Sequence, residues 1–224
     1  MCGRINVRMT SAELAQVFDL LREPDWSPRF NLGPMQQVLV VRLRPEGRVA
    51  DRMQWGLVPS WAKDPKIGSQ TFNARAETVA TKPAFRSALK TRRCLVPASG
   101  FYEWQKFGKT KQPWNIFRAD GQPLALAGLW EHWTSAEGVK LESVTVITTT
   151  PNDFMAEIHD RMPVILGEDV WNLWLGTEVE PHALTELLIP CPSDWLKKSP
   201  VSTLVNNVRN ESPDCVRPVP VLFE

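Results

Sequence analysis

The chain opens Met-Cys-Gly-Arg, and a cysteine directly behind the initiator methionine sets up chemistry that no internal cysteine has. When residue two is small, the methionine is commonly trimmed, and Cys2 would then become the mature amino terminus. Its α-amine and thiol would sit on adjacent carbons. An α-amine titrates near ~7.7–8.0 and a lysine amine near ~10.4, so at neutral pH about a tenth of the former is free to attack a carbonyl. The neighbouring thiol can capture the resulting Schiff base and close a five-membered thiazolidine ring. The alternative is that Cys2 is only a small buried side chain.

Four other stretches could join such chemistry. Glu103 lies in Gly-Phe-Tyr-Glu-Trp, between Tyr102 and Trp104 in an otherwise apolar strand pattern. Burial there would raise its pKa and suit it to proton transfer near neutrality, whereas strand alternation equally allows it to face solvent. His159, in Ile-His-Asp-Arg-Met-Pro, has the side chain whose ordinary pKa lies nearest neutrality, and Arg161 beside it could grip a phosphate or a sugar oxygen. Phe-Asn-Ala-Arg-Ala-Glu-Thr supplies Asn73, which can both donate and accept, and Arg75, which offers a planar fork to phosphate. A turn asparagine beside an Arg75–Glu77 surface pair fits the same residues. Of the ten tryptophans, Trp61 is the one expected to stack on a base, with most of the rest in the core.

The elements that must carry these residues follow from periodicity. Thr10-Ser-Ala-Glu13 fits a capping box, and Leu14, Val17, Phe18 and Leu21 extend a helix over about 11–21. Residues 38–43 and 48–55 form a hairpin. Residues 100–105, 112–118 and 123–133 read as a three-stranded meander, and 141–149 as a further strand. A short helix begins at Thr150-Pro151, a strand covers 162–166, helical patterns occupy 168–175 and 181–188, and residues 216–224 suggest a proline-punctuated edge strand. Hairpin order with inserted helices predicts an α+β fold. The expected form is a single domain over residues 1–224, with a curled, barrel-like, mostly antiparallel sheet and short helices around it.

At 224 residues, 43% hydrophobic and 23% charged, the composition is that of a globular protein, with no apolar run near the ~20 residues of a membrane span. No secretory leader is evident, so a cytoplasmic protein is expected, and a monomer. Cys2, Cys94, Cys191 and Cys215 lack zinc-ligand spacing, and His132, His159 and His182 are scattered, so neither metal nor other cofactor is expected. Phosphate-binding glycine loops are absent from the sequence. The formal net charge of +1 conceals a split: residues 61–118 carry twelve Lys/Arg against Asp64, Glu77 and Glu103, or +9. That pattern suits a basic face toward a polyanion, or simply a solvated surface.

The ordered motifs MCGR, RFNLGP, WGLVPSW, NARAET, RRCLVPASGFYEW, AGLWEHW, IHDRMP and VSTLVNN resemble the SOS response-associated peptidase (SRAP) family. The resemblance runs from residue 2 to about 207. It implies a protein that processes abasic sites in single-stranded DNA, a role in the DNA damage and SOS response, and Cys2 as the group that traps the ring-opened sugar as a thiazolidine. It further implies that Glu103 is the acid/base for ring opening and crosslink release, that His159 shuttles a proton, and that Asn73 positions the Cys2 amine. Arg4, Arg75 and Arg161 match phosphate-binding positions, and Pro34 and Trp61 match residues that wedge bases apart. Some relatives carry a second aromatic after the tryptophan equated with Trp61, where this chain has Ala62, so stacking there is expected to be weaker. Lyase chemistry through the Schiff base and association with the nucleoid are further implications. The competing readings are a cysteine peptidase, acting on peptides or on its own Met1, and a noncatalytic reader of single-stranded or modified DNA.

Overall fold

The computed structural model of the chain describes residues 2–177 and 179–221. Its strands in chain order are β1 (Ile5–Val7), β2 (Arg29–Leu32), β3 (Gln37–Arg44), β4 (Gly47–Trp55), β5 (Asn73–Arg75) and β6 (Arg93–Ala98). Then come β7 (Gly100–Phe107), β8 (Thr110–Arg118), β9 (Leu124–Thr134), β10 (Lys140–Thr149), β11 (Met162–Pro163) and β12 (Leu196–Pro200). The α-helices are short: α1 (Ser11–Val17), α2 (Arg86–Thr91), α3 (Asp153–Ala156), α4 (Trp171–Leu175) and α5 (Pro181–Glu186). None of the described helices is long and apolar enough to cross a membrane.

Five strands close on themselves. Their order is β10-β4-β3-β6-β9, and β9 pairs back onto β10 to complete a barrel. Every seam is antiparallel except β10–β4, which is parallel through Ser143↔Gln54 and Val144↔Trp55. Beyond that seam, the last residues of β10 leave the barrel and pair with β5 on one side and β11 on the other. A second, antiparallel sheet runs β12-β8-β7-β1-β2. The curled α+β architecture expected from the sequence is therefore present.

Individual elements differ from expectation for identifiable reasons. The capping box at Thr10 and Glu13 forms, but α1 ends at Val17 because Asp19 turns into the left-handed region at φ 50°. The meander is not one: β7 and β8 form its hairpin, and β9 crosses into the barrel to pair with β6 and β10. Residues 124–129 are buried on both strand faces, which suits a barrel wall covered outside by α2 and α4 and not a half-solvated edge. The helix expected at Thr150 starts later, with Asn152 as its cap accepting from the Met155 amide. Only Met162–Pro163 of the expected 162–166 strand pairs with β10, and Ile165 bridges to Leu126 instead. The tail makes a single bridge, Val201↔Pro218, and residues 222–224 of the expected edge strand lie outside the described residues.

The sequence reading omitted β1, β2, β5, β6, β12 and α2. The strand β6 is the instructive case, since Pro97 argues against an interior strand. It is tolerated because β6 touches β3 at one pair, Val41↔Leu95, and Pro97 lies past it, bordered only by β9.

Arg93 at the start of β6 joins the helices to the barrel. Its buried guanidinium donates to the Leu89 and Lys90 carbonyls at the end of α2, to the Trp174 carbonyl at 2.6 Å, and to the Gly176 carbonyl. One side chain thus satisfies the orphan carbonyls of two helix ends. Arg93→Met is expected to strand those carbonyls and to destabilise the protein by about 3 kcal/mol or more, read as the shift in urea unfolding free energy. An unchanged unfolding midpoint would show the helix ends to be capped by other means.

Candidate active site

The central strand β7 places Glu103 between β1 and β8, opposite Trp114. Tyr102, Glu103 and the preceding residues of β7 are all buried, so the alternation that would have turned Glu103 to solvent does not operate here. Its relative exposure is 3%. Burial is the main reason its pKa is pushed up to about 7, since the ionised form loses water. A carboxyl group poised there can give or take a proton at neutral pH.

Cys2 lies ahead of β1 on the same side. Register carries it toward Glu103: Ile5 pairs with Phe101, and the Tyr102 amide donates to the Arg4 carbonyl at 2.9 Å. The Cys2 side chain is fully buried. Desolvation first, and the Glu103 carboxylate second, push its thiol well above the ordinary range, while a hydrogen bond from the Arg4 amide acts in the opposite direction. The thiol is accordingly protonated at neutral pH.

His159 comes in from the turn after α3, where its amide donates to the Met155 carbonyl at 2.8 Å. Its Nε2 stands 3.8 Å from Glu103 Oε2, an approach distance that a bound group or a small shift can convert into proton transfer. Nδ1 accepts from the Arg161 amide at 3.1 Å and lies 2.8 Å from Asp160 Oδ1. These two contacts belong to different protonation states. In the neutral ring Nδ1 accepts from Arg161 and the proton sits on Nε2, facing Glu103; in the charged ring the Nδ1 proton faces Asp160. Burial lowers the His159 pKa, which favours the neutral ring. A cleft of about 700 Å³, lined by Trp104, Lys106, Glu157, His159 and Asp160 among others, opens beside it.

Asn73 and Arg75 are brought in by β5, which pairs with the end of β10. Asn73 Nδ2 donates to the carbonyls of Phe72 and Val146, while its buried Oδ1 has no hydrogen-bond partner among the described residues. That leaves one acceptor available for an amine or hydroxyl. Arg75 is exposed and pairs in register with Thr148. Arg161 converges on the same residue, donating to the Thr148 carbonyl at 2.7 Å and forking onto Glu77 at 2.5 and 3.0 Å. Those hydrogen bonds hold the Glu77 carboxyl below its usual range. The surface pair of Glu77 is thus with Arg161, 84 positions away.

Pro34 and Trp61 belong to a different part of the fold, two loops at the Trp55 end of β4. The Pro34 turn is fastened there by the Met35 amide on the Trp55 carbonyl at 2.7 Å, with Met35 exposed at φ 69°. The Trp61 loop starts at Gly56, whose φ is 139° and where a Cβ would stand 2.5 Å from the Gly68 carbonyl oxygen. Trp61 is 60% exposed, beside a cavity of about 410 Å³ that Lys63 and Lys66 help to line. The residue after it is alanine for a structural reason: Ala62 is buried against Trp133, whose indole donates to its carbonyl at 2.6 Å. Arg4 is already engaged, with Nη1 on Asn31 Oδ1 at 2.9 Å and on the Val205 carbonyl.

Cys2, Glu103 and His159 therefore form one cluster, and Arg75 and Arg161 meet at Thr148. Sequence reading gave no place to Asn31, Met35 or Trp104 in this region. Met35 carries a readable signal, an apolar residue directly after Pro34 in a turn. The carbonyls that Asn31 donates to, of Asn207 and Asn210, lie more than 170 positions away and leave no local signature. Of the twelve basic residues between 61 and 118, nine are exposed, while Arg93 is buried and Arg92 and Arg118 pair with Glu131 and Asp120.

Residues 1–208 match the family model described as SOS response associated peptidase (SRAP). The chain belongs to the SRAP family. It is 41% identical over 217 residues to abasic site processing protein YoaM of Bacillus subtilis, covering 95% of this chain and 96% of that one. It is 31% identical over 228 residues to abasic site processing protein YedK of Escherichia coli, covering 98% and 100%. Abasic site processing protein HMCES of Gallus gallus is 33% identical over 263 residues, covering 98% of this chain and 78% of that protein. Among solved structures, a Bordetella bronchiseptica protein aligns with TM-score 0.80 at 27% identity, over 90% of this chain and all of the other. A Bacteroides thetaiotaomicron protein shares the SRAP fold with TM-score 0.90 at 22% identity, over 97% of this chain and all of that one.

Because the folded Glu103 pKa lies above its unfolded value, the folded state binds the extra proton, and stability falls as pH rises from about 4.5 to 7. Glu103→Gln keeps the shape without the charge. It is expected to be more stable than the parent at pH 8 by about 3 kcal/mol, with the gap closing toward pH 4.5, measured by urea unfolding at several pH values. A gap that does not change with pH would mean that Glu103 is not buried as a proton carrier.

Proposed function

We propose that this chain processes abasic sites in single-stranded DNA by covalent capture on Cys2, after removal of Met1. The observation that carries the reading is the cluster in which a protonated, buried Cys2 thiol adjoins a carboxyl titrating near neutrality, with His159 3.8 Å from that carboxyl. Membership of a family whose named relatives are abasic site processing proteins supports the substrate.

The steps balance without a cofactor. Protonated Glu103 assists opening of the deoxyribose hemiacetal to the C1′ aldehyde. The Cys2 amine, oriented by Asn73 Oδ1, adds to C1′, and loss of water with a proton from the Glu103–His159 pair gives the imine. The thiol then adds across the C=N of the protonated imine: a C1′–S bond forms, the C=N electron pair returns to nitrogen, and the thiol proton restores the Glu103 carboxyl. Aldehyde and cysteine have become thiazolidine and water. Exposed Arg75 and the largely covered Arg161, the latter exchanging Glu77 for a phosphate, would hold the strand beside Thr148, while Trp61 and Pro34 would meet flanking bases. A peptidase acting on other chains is less well supported, because a cysteine nucleophile needs its thiolate and burial beside Glu103 opposes ionisation.

Closure to the thiazolidine also removes the imine before it can eliminate. Cys2→Ala retains a small residue two and an amine but no thiol. On a denaturing gel with a single-stranded oligonucleotide carrying one abasic site, the parent protein is expected to give a heat-stable shifted band. Cys2→Ala should give none, with strand scission from the uncaptured imine in its place. An intact oligonucleotide should shift with neither. Absence of the band when mass spectrometry shows Met1 to be gone would refute covalent capture.

A further inference from the structure

After β12 the chain forms a strap whose contacts lead to the active-site strands. Ser202 caps a 3-10 turn over Thr203–Asn206, and a second turn follows at Pro213–Cys215. The Val205 carbonyl accepts from Arg4 Nη1. Asn206 Oδ1 accepts from Trp104 Nε1 at 2.7 Å, and the Arg4 guanidinium lies 5.9 Å from the centre of that indole. The carbonyls of Asn207 and Asn210 accept from Asn31 Nδ2 at 3.0 and 2.9 Å.

Asn31 is the node. It is fully buried, and it spends both amide hydrogens on the strap and its oxygen on Arg4 Nη1 at 2.9 Å. A buried amide with all these groups satisfied has one orientation, and so do its partners. The Arg4 backbone is tied to the strand that carries Glu103: its carbonyl accepts from the Tyr102 amide at 2.9 Å, and only Gly3 separates it from the fully buried Cys2. Trp104, held by Asn206, directly follows Glu103. The strap therefore grips one residue just downstream of each of the two reacting groups, Arg4 after Cys2 and Trp104 after Glu103.

We infer that Asn31 and the strap over residues 205–210 position Cys2: by locking the Arg4 side chain, they fix the short backbone segment that seats Cys2 against β7. The consequence for capture rests on the proposed thiazolidine reading, whereas the hold on the thiol does not. Arg4, as a phosphate ligand in the family resemblance, would here keep one guanidinium nitrogen committed to the protein and act first as a brace.

Two readouts on Asn31→Ala separate these claims. Alkylation of Cys2 by iodoacetamide, followed by peptide mass spectrometry, needs no DNA; it is expected to become at least tenfold faster once the thiol is released. Single-turnover crosslinking to an abasic oligonucleotide is expected to slow at least tenfold at saturating DNA, with half-saturation within twofold of the parent. Asn206→Ala, at an exposed position, frees only the Trp104 indole and should move both readouts in the same directions by smaller factors, which covers the case in which Asn31→Ala fails to fold. Unchanged alkylation in the folded variants would overturn the inference, as would a crosslinking defect confined to half-saturation. If the parent protein forms no crosslink, the proposed function falls, and the alkylation rates still decide the strap.

Discussion

Glu103 carries a carboxyl group with 3% of its surface exposed, and withdrawing a carboxylate from water costs free energy unless neighbouring groups offset it. Much of the arrangement around the site can be read as a response to that constraint. The middle position of β7 between β1 and β8 seals the group from two sides. The price is a proton retained near neutrality, which is also what makes the position chemically useful. Cys2, next to it, experiences the same low dielectric and keeps its own proton. Two acids that each resist ionisation lie side by side, and a neutral imidazole waits at 3.8 Å. The cluster is poised to pass protons, not to attack as a standing anion.

The tryptophans show how a composition signal can point two ways. Arg42 lies 4.4 Å over the ring of Trp130, Arg118 4.7 Å over Trp195, and Arg48 and Arg52 lie over Trp171 and Trp26. These rings are platforms for the protein's own guanidinium groups, a use in which the aromatic face is covered by charge, on the barrel and on the second sheet alike. Trp61 differs from them in being exposed and in having lysines nearby with no such lid described. Likewise, the basic stretch of the sequence is not uniform in space. Arg93 serves two helix ends, and Arg92 and Arg118 are paired, so the positive surface is made mainly by lysines and by Arg75 and Arg86.

What could be read from the sequence was set by the range of the interactions. The β3–β4 hairpin was legible because its apolar, β-branched run and its turn lie within twenty residues. The strand β9 was placed in the wrong sheet by the ordinary rule that successive strands pair, and only the burial of both its faces identifies it as a barrel wall. Three- and four-residue strands such as β1 and β2 are too short to show a period. For the site, residue chemistry marked Cys2, Glu103 and His159 as candidates, but a period of two gives Glu103 two directions and cannot choose. The Asn31 contacts, spanning about 180 positions, had no local trace at all.

The pairing of β1 with β7 has a consequence for how the protein is made. Residues 2–7 cannot dock until Gly100–Phe107 has left the ribosome, and the barrel cannot close until β10 follows. At about 5–20 residues per second, the hundred residues between them take roughly 5–20 s to synthesise. Throughout that interval the amino-terminal segment has only the four-residue strand β2 to pair with, and the strand that carries Glu103 does not yet cover Cys2. Once β7 arrives, the same segment is withdrawn into the core. Any processing of the amino terminus is thus confined by translation: the order of strands along the chain sets how long the segment stays accessible before β7 covers it.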